Sequence, residues 1–154
     1  MGGYTMIAIA CDHAALELKA EVIKMLEDRG LTYEDFGTYT ADSCHYPIFG
    51  ARAAQAVASG KCDRGILICG TGIGMSLVAN KVKGIRCALC SDSYSAKMTR
   101  AHNDSNMLAM GARVIGVEVA KEIVAAWLDT PFEGGRHQAR VDMITALENG
   151  ETLE

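Results

Sequence analysis

The chain has 154 residues, 49% of them apolar and 22% charged, with a net charge of −4 at pH 7. This length suits one domain over 1–154 that buries a real core, and the composition excludes a disordered chain. The acidic balance argues against a general nucleic-acid surface, so an anionic ligand would have to be held by local cations.

In chain order, strand and helix alternate. Residues 1–5 carry no structural signal and read as a loose end. Residues 6–10 read as a first strand, far too short for a signal or membrane segment. Asp12 is placed to cap the next helix, in which Leu18, Val22, Met25, Leu26 and Arg29 give helical spacing and one apolar face, with Gly30 as its end. Residues 31–36 read as a second strand and 37–45 as a polar loop. Pro47 opens an alanine-rich helix that runs to Gly60. Ile66, Leu67 and Ile68 form an unbroken apolar run, as expected of a strand buried on both faces of a parallel sheet.

A glycine turn at 70–74 follows, then a helix over 76–81. Residues 85–90 make a fourth strand and 92–101 a helix. Residues 106–110 suit a fifth strand, with the apolar run at 114–117 competing for that assignment. Residues 119–128 are helical, Pro131 with Gly134 and Gly135 makes a break, and 141–147 form a last helix. Repeated β-α units imply an α/β domain with a parallel sheet covered by helices on both faces.

In such a sheet the site lies beyond the carboxyl ends of the strands. Gly70, Gly72 and Gly74 allow a sharp turn and close approach of a ligand, and the helix start aims free N–H groups at one spot. Cys69 stands beside that spot, where its thiol should ionise more easily. Asp12 and His13, His45 and Tyr46, and His102 and Asn103 are read as sharing that edge. All four histidines fall at junctions. Arg136 and Arg140 lie four apart at a helix start, next to His137. Like charges there repel each other and the helix dipole, a placement that makes sense if a phosphate bridges them.

Other readings are weaker on residue grounds. Gly70-x-Gly72-x-Gly74 has its third glycine one residue early for a dinucleotide fingerprint and lies outside the first βα unit, although Asp92 stands where a ribose-binding carboxylate would. No Gly-Lys-Ser/Thr makes it a P-loop. Cys87 and Cys90 match C-x-x-C, but on a strand they face opposite ways, and no second pair supports zinc. Cys11, Cys44 and Cys62 are assigned no chemistry. Six irregularly spaced cysteines read as reduced thiols, hence a cytoplasmic protein.

The residues resemble the ribose-5-phosphate isomerase B family, which includes allose-6-phosphate and galactose-6-phosphate isomerases. The marks are Asp12-His13-Ala14 with Glu17-Leu18-Lys19, His45-Tyr46-Pro47, Cys69 to Ser76 with Ala79-Asn80-Lys81, and Gly84-Ile85-Arg86. His102-Asn103-Asp104, Gly111-Ala112-Arg113-Val114-Ile115-Gly116 and Gly134-Gly135-Arg136-His137-x-x-Arg140 complete the set. The resemblance implies a three-layer α/β/α Rossmann-like subunit with a five-stranded parallel sheet and no dinucleotide. It also implies a homodimer or homotetramer with sites at a subunit interface, where the arginine motif serves a neighbour.

By the same resemblance, Cys69 moves a proton between C1 and C2 of a phosphorylated sugar, and Asp12 and His102 open the furanose ring. One branch of the family has a glutamate base at Met75; methionine cannot do that work, which places this chain in the cysteine branch. Thr71 and the amides from Gly70 through Gly72 and Ile73 to Gly74, with Ser76 close by, hold the enediolate. His13, Arg113, Arg136 and Arg140 bind phosphate, and Tyr46 and Asn103 contact the sugar. No metal, cofactor, nucleic acid or membrane is implied. A nicotinamide-dependent oxidoreductase and a non-catalytic sugar-phosphate-binding subunit are the rival classes.

Overall fold

A computed structural model of the chain describes residues 5–154. The loose end expected at the start lies, except for Thr5, outside the described residues. Five strands, β1 (Met6–Cys11), β2 (Thr32–Asp35), β3 (Arg64–Cys69), β4 (Cys87–Leu89) and β5 (Met107–Gly111), pair in the order β2-β1-β3-β5-β4. Every pairing is parallel. The helices are α1 (Leu16–Asp28), α2 (Tyr46–Ala58), α3 (Ile73–Ala79), α4 (Ser93–Asn103), α5 (Val117–Asp129) and α6 (Arg136–Glu148).

Alternation along the central strands explains the layers. Ile7, Ile9, Ile66, Ile68, Leu108 and Met110 face one core, which α1, α4 and α5 cover with Leu18, Val22, Leu26, Ala96, Ile123 and Trp127. Ala8, Ala10, Leu67, Cys69, Met107 and Ala109 face the other, covered by α2 and α3. Small side chains on that second face let the alanine-rich α2 approach closely. A Cβ on Gly65 would come within 2.5 Å of the Met107 side chain and 3.2 Å of Val57. On α2 itself, a Cβ on Gly50 would stand 2.8 Å from the sulfur of Met75 in α3. Met75 is fully buried there.

The fifth strand is Met107–Gly111, buried throughout, as expected for residues 106–110, and the competing run 114–117 is no strand, with Val114 exposed. Three expectations change. Asp12 does not cap α1, whose N-cap is Ala15; its Oδ1 accepts the Ala14 amide at 3.0 Å in the preceding turn. The helix expected from Ser76 starts three residues earlier, at Ile73 inside the glycine turn, because Gly72 takes the left-handed φ of +79° that lets the turn close. The last helix begins at Arg136, so both arginines belong to it. Cys87 and Cys90 pack into opposite cores, as their spacing predicts.

Candidate functional site

Two groups of residues form, at opposite ends of the sheet. The first lies at the carboxyl ends of β1, β3 and β5. Cys69 ends β3 and is 5% exposed, and its sulfur accepts the Gly72 N–H at 3.1 Å. Gly72 has no room for a side chain: a Cβ would meet Leu89 at 2.5 Å and the Met110 backbone at 2.8 Å. Thr71 is exposed, and its hydroxyl oxygen accepts the Ile73 N–H at 3.2 Å. The Ser76 hydroxyl donates to the Ile73 carbonyl at 2.7 Å, so its proton is engaged within its own helix.

Neighbouring elements close over this turn. The Tyr46 ring, at the start of α2, lies against Gly74, where a Cβ would be 2.7 Å from it. The Arg113 amide donates to the Gly70 carbonyl at 3.0 Å, and its guanidinium group folds over Gly70, with Nη1 3.7 Å from where a Cβ would stand. Asp12, 8% exposed, donates its amide to Ile68 at 3.2 Å, which brings the end of β1 to the end of β3. His13 Nδ1 accepts the Cys44 amide at 3.2 Å and anchors the 37–45 loop. A cleft of about 430 Å³ opens beside His13, bordered by Glu17, Ala41, Ala112 and Ile115.

Burial pushes the Cys11 and Cys90 thiols up to about 11, and Cys87 up to about 12. Cys62 is also raised, again by burial first.

The second group lies at the amino ends of the strands, and here the single-edge expectation is corrected. Helix α4 runs back antiparallel to the sheet, so its last residues, His102 and Asn103, end beside the start of β4. The Asn103 carbonyl accepts Arg86 Nε at 2.9 Å there. Asn103 borders a groove of about 500 Å³ with Arg86, Ile144 and Leu147, which none of residues 69–74 lines. His102 stacks on His137, ring centroids 4.1 Å apart and planes within 8°. Glu133 Oε2 lies 3.7 Å from His102 Nε2 and 3.2 Å from His137 Nε2. Arg136 and Arg140 are exposed on the first turns of α6, about one helical turn apart. Burial, then His102 and Arg136, hold the His137 imidazole below its ordinary range.

A six-residue strand spans about 20 Å and an eleven-residue helix about 16 Å, so the two groups of one chain stand roughly that far apart. One chain therefore does not bring His102, Asn103, Arg136 and Arg140 to Cys69. Asp92, the carboxylate a dinucleotide would need, is committed to the α4 N-cap, accepting the Ser95 amide at 2.7 Å and its hydroxyl at 2.9 Å. Glu133 escaped the sequence reading because nothing in its spacing marks it; only the fold beside the end of α4 pairs it with two histidines.

The family model described as Ribose/Galactose Isomerase matches residues 7–144. The chain belongs to that family. It is 52% identical over 142 residues to ribose-5-phosphate isomerase B of Escherichia coli K12, covering 92% of this chain and 95% of the relative. It is 49% identical over 146 residues to a D-erythrulose-4-phosphate isomerase of Pectobacterium atrosepticum, covering 94% and 96%. The fold matches the Clostridium thermocellum ribose-5-phosphate isomerase B structure with a TM-score of 0.93 at 51% identity, covering 95% of this chain and 99% of that one. It also matches the Mycoplasma genitalium ribose-5-phosphate isomerase B structure with bound ribulose-5-phosphate, with a TM-score of 0.92 at 37% identity over 96% and 99%. Membership in the ribose/galactose isomerase family agrees with the α/β/α architecture and the five-stranded parallel sheet.

Proposed function

We propose that this family member interconverts ribose 5-phosphate and ribulose 5-phosphate, with allose 6-phosphate or galactose 6-phosphate as the alternative substrates. The observation that carries the reading is the buried Cys69 sulfur at the end of β3, which accepts the Gly72 N–H next to Gly70, over which the guanidinium group of Arg113 folds. Aldose–ketose exchange needs a base at the carbon next to the carbonyl and donors for the charge that builds on O1 and O2. The Cys69 thiolate takes the C2 proton, the C–H electron pair becomes the C1–C2 double bond and the carbonyl pair moves onto O1; the O2 hydroxyl proton passes to O1, and the thiol returns its proton to C1 as O2 becomes the carbonyl.

Thr71 and the free amides of the turn hold the enediolate oxygens, the Gly72 and Ile73 amides being already given to Cys69 Sγ and Thr71 Oγ1. The first helical hydrogen bond of α3 runs from Ser76 to Gly72, so the Gly74 and Met75 amides precede it and remain donors. Loss of one such donor costs about 3 kcal/mol in the transition state. Asp12 and His102 open the sugar ring. His13, Arg113, Arg136 and Arg140 bind the phosphate, whose binding energy fixes the sugar for reaction. Tyr46 and Asn103 contact the sugar. No step of this scheme needs a metal or an organic cofactor.

Those roles require both ends of the sheet, and one chain holds them apart. The reading is therefore a homodimer, alone or within a tetramer, in which the carboxyl-end group of one copy meets the amino-end group of another. The domain spans 1–154. Among the described residues no helix is long and apolar enough to cross a membrane. We place the protein in the cytoplasm, where six unpaired thiols stay reduced.

The test is an assay of the purified chain on ribose 5-phosphate and allose 6-phosphate, with deuterium exchange at C2 in heavy water. Turnover of ribose 5-phosphate with solvent exchange at C2 is expected. Binding of either sugar without turnover or exchange would contradict it and favour a non-catalytic subunit.

A further inference from the structure

The amino-end cluster holds one buried polar atom to which the proposed isomerisation gives no role. His137 is 6% exposed, and its Nε2 has no hydrogen-bond partner. The Glu133 carboxylate stands 3.2 Å away but out of hydrogen-bond alignment. A buried nitrogen left in this state is rare and calls for a ligand or an ion.

We propose that His102, Glu133 and His137 bind one divalent transition-metal ion of the Zn²⁺, Co²⁺ or Ni²⁺ class. Their donor atoms, one from each residue, all lie within 4.8 Å of one another. Imidazole nitrogen and carboxylate oxygen bind such ions at about 2.0–2.2 Å, so two donors on a tetrahedral ion stand about 3.3 Å apart. The His137–Glu133 pair is already at 3.2 Å and the His102–Glu133 pair at 3.7 Å. His102 has a 39% exposed side chain, free to tilt out of the stack and close the remaining gap. His137 is the fixed ligand, and the Glu133 backbone is anchored by its amide on the Ala101 carbonyl at 3.0 Å.

Two imidazoles and one carboxylate leave a fourth position open to solvent, a donor set suited to borderline ions and not to Mg²⁺ or Ca²⁺. A neutral imidazole keeps a lone pair for an ion, so binding should weaken as pH falls. The nearby Arg136 and Arg140 charges oppose the ion and Glu133 attracts it, so reversible binding is expected. The consequence for activity rests on the ring-opening role proposed for His102: an ion on its Nε2 removes that acid–base group, so occupancy slows isomerisation of the ring form.

The probe is Co²⁺ added to the full chain, because its absorption separates nitrogen and oxygen ligands from thiolate. One Co²⁺ per chain is expected, with ligand-field bands and no sulfur charge-transfer band. His137→Gln and Glu133→Gln, each checked for native circular dichroism, should weaken binding at least about tenfold. If either variant fails to fold, His102→Gln, which changes a partly exposed residue, reads the same loss. No saturable binding, equal binding in the folded variants, or a thiolate spectrum abolished by Cys69→Ala would overturn the site. Bound Co²⁺ should also slow ribose 5-phosphate turnover, reversibly with a chelator. Saturable binding at full activity would overturn the role of His102 and leave the metal site standing.

Discussion

The Gly72 amide points at the Cys69 sulfur across 3.1 Å. Three residues of backbone make this contact possible, because Gly72 turns left-handed at +79° and Leu89 and Met110 close against it. In the proposed reaction that sulfur is the proton carrier. Cys69→Ala should therefore lower turnover and C2 exchange by about 10²–10⁴-fold while sugar-phosphate binding, read by calorimetry, persists. An unchanged exchange rate would remove the base assignment.

Tyr46 and Gly74 make a second coupled pair. A methyl group at 74 would sit 2.7 Å from the tyrosine ring, which is 37% exposed and free to move aside. Gly74→Ala should lower kcat/KM in the wild type and have a much smaller effect in a Tyr46→Ala background. Kinetics of the double-mutant cycle read the coupling directly, and additive losses would separate the two residues.

The arginines of α6 are exposed, so their removal should leave the fold intact. Arg136→Ala and Arg140→Ala are each expected to raise KM about tenfold to a hundredfold, the scale of a lost charge-assisted hydrogen bond, with kcat changed far less. Thermal melts should stay close to wild type. Unchanged KM in both variants would exclude them from the phosphate site.

His137 gives a pH dependence with a definite sign. Its folded-state imidazole titrates below the ordinary 6.5, through burial first, then His102 and Arg136, with Arg140 adding and Glu133 opposing. The unfolded chain then binds the extra proton first, so its stability contribution is intact above about pH 6.5 and declines as pH falls below that value. Denaturant midpoints measured from pH 7.5 to 5 should fall, and His137→Gln should remove part of that fall. A wild-type midpoint that rises on acidification over this range would contradict the sign.

Much of this was legible in the sequence where local chemistry decides. The Ile66–Leu67–Ile68 run, the glycine turn and Pro47 at the head of α2 each dictate their own conformation. The positions of His102 and Asn103 are set by the fold instead. They close a helix that starts at the carboxyl edge, and eleven residues carry them back to the other end. Reading them as neighbours of Cys69 treats proximity to a strand in sequence as proximity to its end in space. Lys19 shows the same limit. Its neighbours mark a helix face, but only the fold shows its ammonium group buried against Asp35 at 2.9 Å and the Thr38 carbonyl at 2.6 Å, tying down the end of β2.

In the proposed dimer, one working site takes the Cys69 end of one chain and the His102 end of another. Subunit complementation tests it most directly. Cys69→Ala and His102→Ala chains, each nearly inactive alone, are unfolded, mixed in equal amounts and refolded together. In a two-fold dimer half of the pairs are mixed, and each mixed pair carries one intact site, so activity should recover to about a quarter of wild type. Activity that stays at the level of the separate variants would contradict the shared site and return all the chemistry to a single chain.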